Sequence, residues 1–409
     1  MINRNLRIIK NSIGFRYYCQ SNGVNSGTTI IKRPPYKILF FGTDQVSINT
    51  LKALHNNQKQ IDSKYSNLVS ELQVVCPKSD KKELVEEYAK DNQIKIHYPD
   101  AITGMKNFTV PPSTSDSDSQ FDLAVVVSFG YFIPKKVLNE FKYGGINMHP
   151  SLLPRHRGAA PIYHTILSGD EEAGVSIIGL HAEKFDAGNI LMQVKHEIPK
   201  DILYTPLLKE LSLLGSDCVM KTLEQFPRFY RDSITQSENG KTQANKVDKT
   251  MTKLEFANKT MNEIWTLYRA FSDNIGIYSM SYSKKYKTEK RLWIKGMVVP
   301  PTSNAFESSK NSQEIYSQLE KDALPLLEKK QKIQDIPYGG YFIEIDNKDK
   351  NSLWKGIMWI RCKDGWIGVT HVYEEGKKND RVKSSEFLFG KGIVSPLSDA
   401  IVPPSQVLL

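Results

Sequence analysis

The chain alternates short, wholly apolar runs with longer stretches in which apolar residues recur every three or four positions. Tyr36–Phe41 (Y-K-I-L-F-F), Leu72–Cys76 and Leu123–Ser128 (L-A-V-V-V-S) have little polar interruption, the pattern of strands covered on both faces of a parallel sheet. Ile94–His97 and Val175–Leu180 read as further strands. Between them, apolar spacing predicts helices near Val46–Leu54, over Glu83–Asp91, from Pro134 onward, over Pro161–Leu167 and, longest, over Thr205–Phe229. Proline is tolerated at the first helical position. Strands alternating with helices across residues 34–232 predict an α/β domain on a mainly parallel, Rossmann-like sheet.

The pattern then changes. Pro111–Gln120 (P-P-S-T-S-D-S-D-S-Q) reads as a low-complexity loop, and Ser233–Lys246 is polar without periodicity. Residues 233–252 are therefore taken as a linker. Beyond it comes a helical stretch, Asn262–Ala270, then short runs at Ile275–Tyr282, Arg291–Val299, Gly340–Ile345, Gly356–Cys362 and Trp366–Val372. Short strands divided by turn residues predict a small OB-like β-barrel within residues 253–398. Thr302–Asp335 interrupts it with a polar, helix-like insertion.

Composition narrows the function classes. At 409 residues the chain has room for two domains, and it contains no apolar run of membrane-spanning length. Its four cysteines are scattered and its eight histidines show no ligand spacing such as H-E-x-x-H, so no metal is expected. The net charge of +10 is unevenly placed. Residues 1–33 contribute +6 with no acid, residues 34–246 contribute −1, and residues 247–409 contribute +5. Spaced arginines, hydroxyl residues and no acid before Asp44 predict a mitochondrial presequence over residues 1–33. That places the protein in the matrix.

The chemistry concentrates in Gly144–Ile162, G-G-I-N-M-H-P-S-L-L-P-R-H-R-G-A-A-P-I. If Gly145–His149 is a strand, its period of two sets Asn147 and His149 on one face. Pro150 and Pro154 stiffen the loop beyond, and loops past strand ends are where open α/β sheets bind ligands. Arg155, His156 and Arg157 suit either substrate phosphates or a solvated loop. Downstream, Lys184–Leu191 contains a tight turn, F-D-A-G, that offers the Asp186 carboxylate.

N-x-H followed by S-L-L-P, R-G-A-A-P-I and F-D-A-G resembles the formyltransferases that use 10-formyltetrahydrofolate. The likeness spans about residues 36–395, including the linker A-N-K-V-D-K-T-M-T-K-L-E-F and the late C-K-D-G-W-I-G-V. Within the family it is strongest to members acting on initiator methionyl-tRNA. The resemblance implies Asn147, His149 and Asp186 as the catalytic residues and Ser151, Leu152, Leu153 and Pro154 as the folate-binding loop. It also implies 10-formyltetrahydrofolate as donor, no metal, and a chain acting as a monomer. Lys253-Leu254-Glu255-Phe256 stands where the family usually has Arg-Ile-Asp-Trp, and Pro77–Lys82 is shorter than the basic loop of bacterial members.

Lys284, Lys285, Lys287, Lys290 and Arg291 surround Trp293, and Lys246, Lys249 and Lys253 lie in the linker. Such spacing suits an RNA backbone, and equally a solvated basic surface. Two other functions compete: formyl transfer to a small amine (glycinamide ribonucleotide or an amino sugar), and a non-catalytic RNA-binding relative. Glycinamide ribonucleotide as acceptor leaves residues 247–409 without a role, an amino sugar leaves the basic linker and the presequence without one, and the RNA-binding relative leaves the trio without one.

Overall fold

The apolar runs of the first half form one sheet whose two faces are both covered. In the computed structural model, residues 32–61, 64–79, 83–114, 119–283, 288–298, 341–343, 358–375 and 382–383 are described. The sheet contains β1 (Tyr36–Gly42), β2 (Val69–Val75), β3 (Ile96–His97), β4 (Leu123–Val127), β5 (Gly145–His149), β6 (Glu172–Gly179) and β7 (Ile190–Glu197), in the order β3-β2-β1-β4-β5-β6-β7. The pairs from β3 to β5 are parallel, and β6 and β7 are added antiparallel. Strand order reverses between β1 and β4, and the crevice beyond the carboxyl ends at such a point is where doubly wound sheets take ligands.

Alternation along β1 explains its continuous apolarity. Tyr36, Ile38 and Phe40 pack on the face that carries α1 (Ile48–Gln58), α2 (Leu84–Asp91) and later helices. Leu39 and Phe41 pack on the opposite face, against Phe121, Phe129, Val137 and Phe141 around α3 (Lys135–Leu138). A strand buried on both sides needs apolar residues at every position. α4 runs Pro161–Leu167, and the long helix is α5 (Tyr204–Glu224) followed by α6 (Phe226–Arg231). The expected single helix to Phe229 is broken after Glu224, because Pro227 has no N–H for the ladder.

Two expectations needed revision. β7 was not foreseen; it is an edge strand in which Leu191 and Met192 are buried and Lys195 and Glu197 exposed. The supposed linker is packed against the first sheet. Ile234 exchanges two backbone hydrogen bonds with Ile190 (2.7 and 2.9 Å), and Ala244 is fully buried.

After α7 (Met261–Phe271), a second, antiparallel sheet contains β8 (Ile277–Ser283), β9 (Thr288–Val298), β10 (Tyr341–Ile343), β11 (Met358–Arg361), β12 (Trp366–Glu374) and β13 (Val382–Lys383). Strands therefore occupy all five predicted positions, forming a small antiparallel β unit. Of the presequence expected over residues 1–33, residues 1–31 lie outside the described residues, as does the insertion at 302–335. Aromatic stacking joins the halves: Tyr163 of α4 lies on Tyr204 at 3.9 Å and on Phe271 at 5.4 Å between ring centroids. Among the described residues, no helix is long and apolar enough to cross a membrane.

Candidate active site

β5 delivers Asn147 and His149 to the same face of the sheet at its carboxyl end, as its alternation requires. Met148, between them, packs in the core against Gly215 of α5. The ladder stops at Pro150, which has no N–H to donate. His149 is 4% exposed, and its Nε2 lies 2.8 Å from the carbonyl oxygen of His156. A carbonyl only accepts, so Nε2 carries the hydrogen and Nδ1 of the neutral ring holds the lone pair. Nδ1 lies 3.6 Å from Asp186 Oδ1, a charge contact longer than a hydrogen bond. The hydrogen bond that orients the ring is therefore made to the His156 carbonyl and not to Asp186.

Asp186 is held by the rest of its surroundings. Its backbone is left-handed, with φ of 52°. Asn147 Nδ2 donates to Oδ1 at 3.2 Å and the Gly158 N–H to Oδ2 at 3.0 Å. Gly158 itself has φ of 128°, and a Cβ there would lie 2.6 Å from the Ala244 carbonyl oxygen. Gly188 closes the F-D-A-G turn so tightly on β6 that any Cβ would overlap the Gly179 carbonyl. Beneath the turn, Gln236 Nε2 donates to the carbonyls of Asp186 (2.8 Å) and Gly188 (2.7 Å).

The trio opens onto a cavity of about 490 Å³ at the ends of β1, β4 and β5, a volume within the usual range for small-molecule sites. Its walls include Asp44, Ser128–Ile133, Gly158–Tyr163, Ile178–His181, Lys184–Asp186 and Tyr204. Ser128 Oγ donates to Asp44 Oδ2 at 2.6 Å, which ties the ends of β4 and β1 together across the switch point. Phe132 and Phe185 meet edge to face at 5.1 Å. Burial and the neighbouring Tyr163 raise the Tyr204 phenol well above its ordinary value, so it stays neutral.

Residues 36–211 match the formyl transferase family. The mitochondrial methionyl-tRNA formyltransferase of Bos taurus is 30% identical over 349 residues, covering 85% of this chain and 76% of that protein. The chain belongs to the methionyl-tRNA formyltransferase family. A further family member, from Wolbachia pipientis subsp. Culex pipiens, is 51% identical over 126 residues, 31% of this chain and 41% of that protein. Among solved structures, an N-formyltransferase from Helicobacter canadensis, in complex with folinic acid and dTDP-3-aminofucose, has a TM-score of 0.51. It is 16% identical, covers 83% of this chain and 100% of that chain, and shares the fold.

The remaining expected site residues of this formyltransferase are dispersed. Ser151, Leu152, Leu153 and Pro154 are not among the residues lining the cavity; Ser151 and Leu153 are buried beneath the loop, and Leu152 and Pro154 are half-buried. Ser151 Oγ donates to the Arg155 carbonyl (2.7 Å), Ser176 Oγ donates to the Ser151 carbonyl (2.7 Å), and the Leu153 N–H donates to Ser176 Oγ (3.2 Å). The wall facing the trio is instead Ser128–Ile133. Its signal in the sequence was a glycine just after a central strand, F-G-Y-F-I-P; in the structure Ser128 there is left-handed.

Arg155, His156 and Arg157 are committed within the protein. Arg155 and His156 both bind Asp170; burial pushes that carboxyl up, and these two partners outweigh it and hold it below its ordinary value. Arg157 donates to Gln236 Oε1 (2.9 Å) and Glu238 (3.3 Å). Lys246 and Lys249 are exposed, whereas Lys253 pairs with Glu255 at 3.2 Å. Lys290 and Arg291 are exposed on β9, where Arg291 lies over the Tyr278 ring at 5.0 Å and pairs with Glu375 at 3.3 Å. Lys284, Lys285 and Lys287 lie outside the described residues. Among the described residues, no group of three or more His, Cys, Asp or Glu is arranged to hold a metal.

Proposed function

We propose that this formyltransferase moves the formyl group of 10-formyltetrahydrofolate onto the amino group of initiator methionyl-tRNA in the mitochondrion, with Asn147, His149 and Asp186 as the reacting side chains. The observation that carries this reading is their convergence on one cavity beyond β1, β4 and β5. The attacking nitrogen bonds to the formyl carbon while the carbonyl electrons move to oxygen. One Asn147 N–H is spent on Asp186, and the other makes no hydrogen bond to any described residue. That free donor suits the oxygen that gains charge, an interaction typically worth about 3–4 kcal/mol of barrier.

His149 Nδ1 accepts the proton the amine sheds and returns it to the departing folate nitrogen as the tetrahedral species collapses. Such proton transfer contributes roughly 10²–10⁴-fold. Asp186, 3.6 Å away, compensates the positive charge while the ring holds the proton. The donor is placed between the Ser128–Ile133 wall and the trio, which line the same cavity.

Relatives named for methionyl-tRNA and matched across 85% of the chain support a charged tRNA over a small amine. Lys246 and Lys249 on the linker, with Lys290 and Arg291 on β9, offer exposed cations for its backbone. His149→Ala should abolish transfer and leave methionyl-tRNA binding nearly intact. Loss of both together would contradict this division of labour.

A further inference from the structure

One buried polar group near the cavity is Gln236, 8% exposed and supplied by the polar segment after α6. The Ile190–Ile234 backbone pair brings that segment beside the first residue of β7 and delivers the Gln236 side chain under the Asp186 turn. Every hydrogen-bonding group of the amide is used. Its nitrogen donates to the carbonyls of Asp186 and Gly188, and its oxygen accepts from Arg157 Nε at 2.9 Å. Arg157 is also held through its backbone, by Thr242 (3.0 Å) and Ala244 (2.7 Å), and directly precedes Gly158. The Gly158 N–H is in turn the donor on Asp186 Oδ2.

We infer that Gln236 is a positioning residue for formyl transfer: its amide clamps the Asp186–Gly188 turn to the Arg157–Gly158 loop and so aims the Asp186 carboxylate at Asn147 and His149. The inference rests on the proposed role of those three residues and extends it to a side chain that does not line the cavity. The reason for a clamp is local. Asp186 sits at positive φ, a conformation that a non-glycine residue keeps only when its surroundings impose it. The Gly179 contact fixes one side of the turn, and Gln236 bonds the carbonyls on the other. Without it the carbonyls lose their donor and the carboxylate is free to leave the Asn147 amide.

Steady-state transfer with Gln236→Met tests this, because methionine keeps the volume and burial but donates nothing. Gln236→Glu is the second variant; it keeps an acceptor for Arg157 and replaces the donors to the turn with a carboxylate oxygen that faces the two carbonyls. Both should lower kcat by roughly 10–100-fold, the scale expected when a reacting group is misplaced by about an ångström. The KM for 10-formyltetrahydrofolate should stay within about twofold, as for a group acting only in the transition state. On an Asp186→Asn background, either change should cost less than about twofold, because a residue acting through Asp186 has nothing left to orient. A general structural role would instead give the same loss on both backgrounds and overturn the inference, as would wild-type kcat for Gln236→Glu. If Asp186→Asn alone leaves transfer intact, the site reading itself fails, which is a distinct result.

Discussion

Replacing Asp186 by asparagine keeps the shape of the turn and removes one charge and one acceptor. At 3.6 Å, full unit charges on His149 and Asp186 would attract by roughly 4–5 kcal/mol at an effective dielectric constant of about 20. The ring is only partly charged in the transition state, so about 2 kcal/mol of this counts toward the barrier. Asp186 also accepts from Asn147 and from the Gly158 N–H through separate oxygens. An asparagine offers one oxygen, so one of these buried donors faces an NH₂ group, at a cost of about 1–2 kcal/mol. Together these losses slow kcat by roughly 10²–10³-fold. The assay is transfer of labelled formyl from 10-formyltetrahydrofolate to methionyl-tRNA under saturating conditions. The donor KM should stay within about twofold, because the Ser128–Ile133 wall proposed to hold the donor is left unchanged. A loss in KM at unchanged kcat would place Asp186 in donor binding and refute the charge argument.

Other consequences are separable. Gly188→Ala drives a Cβ into the Gly179 carbonyl, between two backbones that cannot yield cheaply; denaturant unfolding should show a loss of about 3 kcal/mol. Burial pushes the Asp217 carboxyl up, but bonds from Lys221, Lys64 and Tyr65 outweigh it and hold the value at about 2. A carboxyl so depressed stabilises above its unfolded value, near 4, and loses that contribution as pH falls toward about 2. Asp217→Asn should therefore cost roughly 2 kcal/mol at pH 7, with the gap to wild type closing between about pH 4 and 2; a pH-independent gap would contradict it. The double change of Lys246 and Lys249 to alanine should raise the KM for methionyl-tRNA severalfold and flatten its salt dependence. An unchanged salt slope would remove the linker from the RNA surface.

The sequence exposed those parts of the fold whose apolarity is unbroken. β1 and β4 were legible because both faces are buried, and α4 because Pro161 marks its start. β7 was hidden because an edge strand needs apolar residues only on its covered face, and Lys195 and Glu197 made it look like loop. The trio was legible as a motif, since N-x-H and F-D-A-G depend on local backbone: a period of two in one case, a glycine pressed on a carbonyl in the other. The direction in which S-L-L-P faces was not legible. Ser151 bonds equally well to solvent or to the Arg155 carbonyl, and only the position of Ser176, 25 residues later, turns it inward. Gln236 was invisible for a related reason. A single glutamine in a polar stretch carries no periodicity, and its partners lie 79, 50 and 48 residues away.

The pairing of this trio with a charged tRNA acceptor can be tested directly. Formyl transfer from 10-formyltetrahydrofolate should be measured with purified methionyl-tRNA, free methionine, glycinamide ribonucleotide and a nucleotide-linked amino sugar side by side. Transfer confined to methionyl-tRNA, and lost in His149→Ala, is the expected result. Efficient transfer to a small amine with none to methionyl-tRNA would contradict it.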